Sequence, residues 1–323
     1  MKLTPRPPRT HLAATLFTVL TMTGILAGGG ASTQAQSRKE GAKPSPIKNL
    51  FWQPDQLQQG SPVQFTVELE GMAVRVSGAW LGKPVTFFRS EKPHVWMALA
   101  GADVATEPGN HNLIVVARMR TGRAAKLVEA INVNAADFGT GSVDVPEDYV
   151  EPTAVEQKQI AADQMLKKRA FSHLIPQPMW SGNFIKPVDV ESTPSFGESR
   201  LLNEERTSMH LGTDFPVKEG TPVRASNAGV VVLAGALFYE GNCVIVDHGA
   251  RFYTIYMHLS RIDVRFGERL RKGVKVGLSG ATGRVTGPHV HLGVRWEGNY
   301  VDPVQLLSLT LPDRVEVERR SAR

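Results

Sequence analysis

At 323 residues the chain is long enough for two domains, and with 21% charged and 41% hydrophobic residues its composition excludes a disordered or fibrous chain. Of the formal charge of +6, three units come from Lys2, Arg6 and Arg9; the remaining excess of about +3 describes a mixed solvated surface and excludes a nucleic-acid-binding footprint. With one cysteine no internal disulfide forms, so stability rests on the core or on bound metal.

The chain opens with basic residues up to Arg9, an apolar run over 12–27, and small residues at 28–31. Positive start, short apolar core and small-residue exit predict a secretory signal peptide over 1–35, cleaved near Ala35 or Ala31. If uncleaved, the run of about 16 residues would be a membrane anchor, though a bilayer needs about 20. A polar linker occupies 36–48. Over 49–135 the text is strand-like: Val63, Phe65, Val67 and Leu69 alternate with Gln64, Thr66 and Glu68, the two-residue period of a half-buried strand. A weaker alternation runs through Leu113, Val115, Ala117 and Met119, and shorter apolar runs lie at 85–88 and 95–100. Together they predict an N-terminal immunoglobulin-like antiparallel sandwich. Residues 136–183 read as a linker with a helix over 154–174, opened by the capping box Thr153-Ala154-Val155-Glu156 and ended before Pro176. From 184 to 307 strand-like runs recur at 229–236, 243–247, 252–259, 274–278 and 290–296; Asp302-Pro303 starts a short helix, and 308–323 is a polar tail. Cys243, inside an apolar run, reads as a packed, inert thiol.

Three groups in this second domain carry chemistry. In His210-Leu211-Gly212-Thr213-Asp214 a histidine and a carboxylate stand four apart. In Gly287-Pro288-His289-Val290-His291 the flanking alternation predicts a strand with both imidazoles on one face, about 7 Å apart at their backbones. His258 ends the run 252–259, on the side of Phe252, Thr254 and Tyr256. A catalytic zinc takes three protein ligands and keeps a fourth position for water; His210, Asp214 and one of the paired histidines make such a set. A Glu-bearing zinc helix motif is absent, so proton handling falls to the remaining histidines. His248 reads as a structural residue in a turn, and His94, His111 and His173 as surface residues.

These groups, with Phe196-Gly197, Gly220-Thr221-Pro222-Val223, Val246-Asp247-His248-Gly249, Tyr256-Met257-His258-Leu259 and Gly280-Ala281-Thr282-Gly283, occur in an order and spacing that resembles the lysostaphin/LytM-type zinc endopeptidases, over roughly 184–306. The resemblance implies a mainly β chain whose C-terminal peptidase domain is a two-sheet antiparallel structure with the metal at the floor of a groove. It implies one Zn2+ per chain on His210, Asp214 and His291, with His258 and His289 assisting the attack of zinc-bound water on a peptide carbonyl and stabilising the transition state. The implied substrate is the peptide moiety of peptidoglycan, met by an exported, periplasmic or envelope-associated protein. The alternative is a noncatalytic regulator that activates a cell-wall amidase, and a third reading is a wall-adhesion protein whose zinc only braces the fold.

Overall fold

A computed structural model describes residues 45–313, so the signal segment at 1–35, residues 36–44 of the linker and residues 314–323 of the tail lie outside the described residues. Among the described residues no helix is long and apolar enough to cross a membrane.

The strand Pro62–Leu69 pairs antiparallel on one side with Ile47–Gln53 and on the other with Val95–Gly101, which also pairs with Phe88–Arg89. A second sheet places Gly109–Met119 between Ala73–Trp80 and Ala124–Asn134. Val63, Phe65 and Val67 of the first sheet and Trp80, Leu113 and Val115 of the second are almost wholly buried in one core, with the Phe65 and Trp80 rings meeting edge to face at 5.6 Å. That arrangement is a β-sandwich. The strands Ala73–Trp80 and Ala124–Asn134 leave only a faint alternation in the sequence, because Arg75, Ser77, Lys126 and Glu129 interrupt the apolar positions.

The sandwich core does not stop at the sandwich. Trp180, Phe184, Phe252, Val294, Trp296, Val301 and Leu306 belong to the same apolar cluster. At the contact a Cβ on Gly101 would stand 2.3 Å from Val301 Cγ1. Polar bonds frame this contact: the Tyr300 N–H donates to Asp103 Oδ2 at 2.9 Å and the Asp302 N–H to the Gly60 carbonyl at 2.8 Å.

The helix Ala154–Ser172 has its capping box formed on both sides, Thr153 accepting from the Glu156 N–H while the Glu156 carboxylate accepts from the Thr153 N–H. It is tied to the strand-rich region by Asp163, which accepts from the Phe238 N–H at 2.7 Å, by the Lys167–Glu240 ion pair, and by Ala170 and Phe171 packed beside Leu233, Ile245 and Tyr253. That region is a nine-stranded antiparallel array whose main path runs Thr213–Pro216, His289–Trp296, Phe252–Ile262, Gly241–Asp247, Gly229–Leu237 and Arg269–Leu270, with three further strands paired off it. The long strand Phe252–Ile262 is shared: its first half pairs with His289–Trp296 and its end with Lys275–Ser279, which in turn pairs with Pro222–Arg224. The array closes over Phe215, Val223, Val244, Val246, Tyr256, Val290 and Leu292. Cys243 lies fully buried in this region, and burial pushes its thiol pKa up, the behaviour of an inert packing residue.

The polar stretch after the sandwich is more than a tether. Thr140–Val143 pairs in parallel with Ser199–Leu202, which pairs antiparallel with Arg206–Met209, the strand leading into His210. Four residues of Thr-Gly-Ser-Val carry no readable period, so only the tertiary pairing reveals this strand.

Candidate metal centre

The register between Thr213–Pro216 and His289–Trp296 sets Asp214 directly opposite His291, and Pro216 opposite His289. Opposed residues on antiparallel strands share a face with their Cβ atoms about 5 Å apart, so pairing alone brings this carboxylate and this imidazole together. Phe215 and Val290, the intervening pair, point the other way into the core. His210 joins them through the turn 210–213, which passes so close to His291 that a Cβ on Gly212 would stand 2.2 Å from its Nε2 and 2.6 Å from the Leu292 carbonyl oxygen. Only glycine fits there.

The donor atoms form a small triangle. His210 Nε2 is 2.9 Å from His291 Nδ1 and 3.1 Å from Asp214 Oδ1, and His291 Nδ1 is 3.0 Å from the same oxygen. Tetrahedral zinc with ligand bonds of about 2.1 Å separates neighbouring ligand atoms by roughly 3.4 Å, so this triangle is only slightly smaller than one tetrahedral face. The proton inventory fits as well. His210 Nδ1 lies 2.8 Å from the Ser195 carbonyl, which can only accept, so Nδ1 carries the proton and Nε2 presents a lone pair to an anionic oxygen. A shared divalent cation relieves that opposition. Nitrogen and carboxylate donors at this spacing suit zinc.

Asp214 is anionic against the pull of burial. Burial acts to raise its pKa, but the neighbouring His210 and His291 imidazoles outweigh it and hold the carboxyl well below the usual carboxylate range. Its second oxygen, Oδ2, accepts from the Arg200 guanidinium at 3.2 Å, while Arg200 Nε donates to Glu198 at 2.7 Å. Arg200 escaped the sequence reading, since Glu198-Ser199-Arg200 looks like any polar edge strand. A partner of this kind orients a ligand carboxylate, and Arg200→Gln is expected to weaken zinc affinity by about 10–100-fold without unfolding the protein. Competition for zinc against a chromophoric chelator measures this; an unchanged dissociation constant would remove Arg200 from the centre.

His258 and His289 stand over the same triangle. The His258 ring centroid lies 4.9 Å from that of His289 and 6.0 Å from that of His291, and His289 Nε2 is 3.5 Å from Asp214 Oδ1. Each donates its Nδ1–H to a backbone carbonyl, His258 to Thr282 at 2.9 Å and His289 to Gly287 at 2.8 Å, which leaves both Nε2 atoms as acceptors. Burial, followed by the neighbouring His291 and His289, lowers the His258 pKa to about 3, so its ring is neutral at pH 7.

Simple alternation would put His258 on the side of Tyr256, but Tyr256 is buried in the core with its hydroxyl on the Ser226 N–H, whereas Met257 and His258 both line the groove. The reason is local. His258 has φ = 63°, a left-handed conformation costly for a residue with a Cβ, and it turns the ring out of the strand's alternation toward the triangle. The groove, of about 530 Å³, is also lined by Gly141, Arg200, Met209, Tyr239 and Arg284.

The other histidines among the described residues stay apart from this cluster. His94 and His111 are on the sandwich. His173 caps the helix C-terminus and pairs with Asp247 at 2.9 Å. His248 is fully buried, with Nδ1 2.7 Å from the Ala228 carbonyl and Nε2 2.8 Å from Thr254 Oγ1, itself 3.0 Å from the Tyr256 hydroxyl. Burial lowers its pKa from 6.5 to about 4, so the native state refuses a proton that the unfolded chain accepts below pH 6.5. Stability is therefore full above pH 6.5 and falls as the pH drops toward 4, by up to roughly 3 kcal/mol from this residue. Urea midpoints from pH 7 to 4.5 should fall less steeply in His248→Gln than in the wild type; identical slopes would refute the assignment.

The model of Peptidase family M23 matches residues 208–303. The chain is 41% identical over 116 residues to the peptidoglycan DD-endopeptidase ShyA of Vibrio cholerae, covering 36% of this chain and 26% of that protein. It is 38% identical over 111 residues to the DD-carboxypeptidase/endopeptidase Mpg of Neisseria meningitidis, covering 34% of this chain and 25% of that one. The chain thus spans about a quarter of the length of these curated relatives. A solved structure described as a putative peptidase M23 from Pseudomonas aeruginosa is 30% identical with a TM-score of 0.59, and the match covers 77% of this chain and 94% of that one. Likeness over nearly the whole of that protein, sandwich included, together with the match across the His210–His291 region, shows that the chain belongs to peptidase family M23.

Proposed function

We propose that the chain is a zinc-dependent endopeptidase that hydrolyses the peptide cross-links of bacterial peptidoglycan. The observation that carries this reading is the convergence of His210, Asp214 and His291, with donor atoms all within 4.8 Å of one another, at the floor of an open groove. That ShyA is a peptidoglycan DD-endopeptidase and Mpg a DD-carboxypeptidase/endopeptidase supports the substrate class. Action on the wall requires export, in keeping with the signal segment expected over 1–35.

A zinc ion held by His210, Asp214 and His291 would supply Lewis acidity toward a peptide carbonyl and toward water, whose pKa such an ion lowers to about 7. The chain's own residues handle the rest. Asp214, kept anionic, offsets part of the ion's charge, and Arg200 fixes its orientation. His258 and His289, each anchored at Nδ1, share the transfer of a proton from the attacking water to the leaving amine. Once protonated, either ring donates a hydrogen bond to the oxygen that gains charge.

Digestion of purified wall by the zinc-loaded protein, followed by mass spectrometry of the soluble fraction, tests this. Release of cleaved cross-link peptides, abolished by chelation and restored by zinc, is the expected result. Release of nothing except in the presence of an amidase would establish the regulator instead.

A further inference from the structure

Three cations, Lys167, Arg200 and Arg284, line the groove above the donor triangle. Two of them are neutralised within the protein: Lys167 pairs with Glu240, and Arg200 with Glu198 and Asp214. Arg284 differs. Among the described residues no carboxylate lies within ion-pair distance of it; its guanidinium rests 4.9 Å from the centroid of the Tyr239 ring and donates to Ser208 Oγ at 3.2 Å. A hydroxyl occupies one of five donors and brings no charge. Burial pushes the Arg284 pKa down, with Arg206 and Arg200 acting in the same sense against Tyr239 and Glu240. A partly desolvated guanidinium without a counter-ion is costly, and the cost is relieved when a ligand brings the anion.

The surroundings hold this group in register with the chemistry. Its backbone N–H donates to the Tyr239 carbonyl at 2.9 Å, and two residues earlier in the same loop the Thr282 carbonyl anchors His258. Ser208, its side-chain partner, lies on the strand Arg206–Met209 that leads into His210. The planar fork of a guanidinium matches a carboxylate bidentately, a fit that a neutral amide of similar shape lacks.

We infer that Arg284 determines specificity by binding a free carboxylate of the peptide substrate, so that the groove selects peptides bearing an acid group beside the cleaved bond. The inference rests on the peptidase reading above and deepens it.

The test uses the zinc-loaded full chain and two synthetic D-alanyl-linked peptides, alike except that the carboxylate flanking the cleaved bond is free in one and amidated in the other. The wild type should favour the free acid by about 10–100-fold in kcat/KM, with the difference in KM, as expected of one charge-assisted pair. Arg284→Gln should collapse that preference, and Arg284→Lys, which keeps the charge and loses the fork, should retain part of it. Calorimetry with zinc-free protein provides a second readout, in which Arg284→Gln should weaken binding of the free acid alone. Equal wild-type rates on both peptides, or a variant that slows both by the same factor, would overturn the inference and leave the peptidase reading intact. If the wild type cleaves neither peptide, the peptidase reading fails, and equal calorimetric binding of acid and amide then removes the inference as well.

Discussion

His291→Ala is expected to leave a folded protein that holds no zinc and releases no peptide from the wall. The expectation follows from the triangle. His291 Nδ1 is one of three donors no more than 3.1 Å apart, and the remaining two cannot close a three-ligand site. His289→Ala makes the contrast, because its Nε2 lies 3.5 Å from Asp214 Oδ1, outside the triangle, and its Nδ1 is spent on the Gly287 carbonyl. It should retain zinc in full while kcat falls by about 10²–10⁴, the range for loss of a proton-handling side chain. Metal analysis and wall digestion on the same preparations separate the two outcomes. Hydrolysis by a zinc-free His291→Ala protein would refute the ligand set.

A comparable loss should come from a residue with no functional group. In Gly212→Ala the added methyl carbon would meet His291 Nε2 at 2.2 Å, its Cε1 at 2.6 Å and the Leu292 carbonyl oxygen at 2.6 Å. The backbone oxygen is held in the antiparallel pairing of Thr213 with Leu292, so the imidazole or the turn must move. Zinc affinity should fall by about 100-fold or more, at the upper end of what perturbing a ligand's support costs. Overpacking should add a stability loss of about 1–3 kcal/mol. Wild-type zinc affinity in Gly212→Ala would show that the turn yields freely, and would undo the claim that glycine at 212 is what lets His210 and His291 converge.

Much of the architecture was legible in the residues because burial is periodic. Alternation at Val63, Phe65 and Val67 reported a half-buried strand, and the pattern Val290, Leu292, Val294 placed His289 and His291 on one face. Thr153 and Glu156 announced the helix start, and both bonds are formed. The strand Thr140–Val143 was not legible, since four small and polar residues gain their partner only from Ser199–Leu202, more than fifty positions away. His258 misled for a related reason: alternation assumes extended φ, and a left-handed residue breaks it. Arg200 carried no signal because what marks it, a carboxylate oxygen 3.2 Å away, depends on how two separate strands pack.

What the sequence by itself determined is a set of candidate donors and their local order: which side chains can ligate and which neighbours share a face. Those properties follow from the two-residue period of extended chain and from residue chemistry, both local. Tertiary structure decided that Asp214 faces His291 across a strand pair, that Arg200 holds the far carboxylate oxygen, and that Arg284 is left in the groove with no counter-charge among the described residues. Register, burial and electrostatic pairing are properties of segments brought together from far apart in the chain, and no window of the sequence contains both partners.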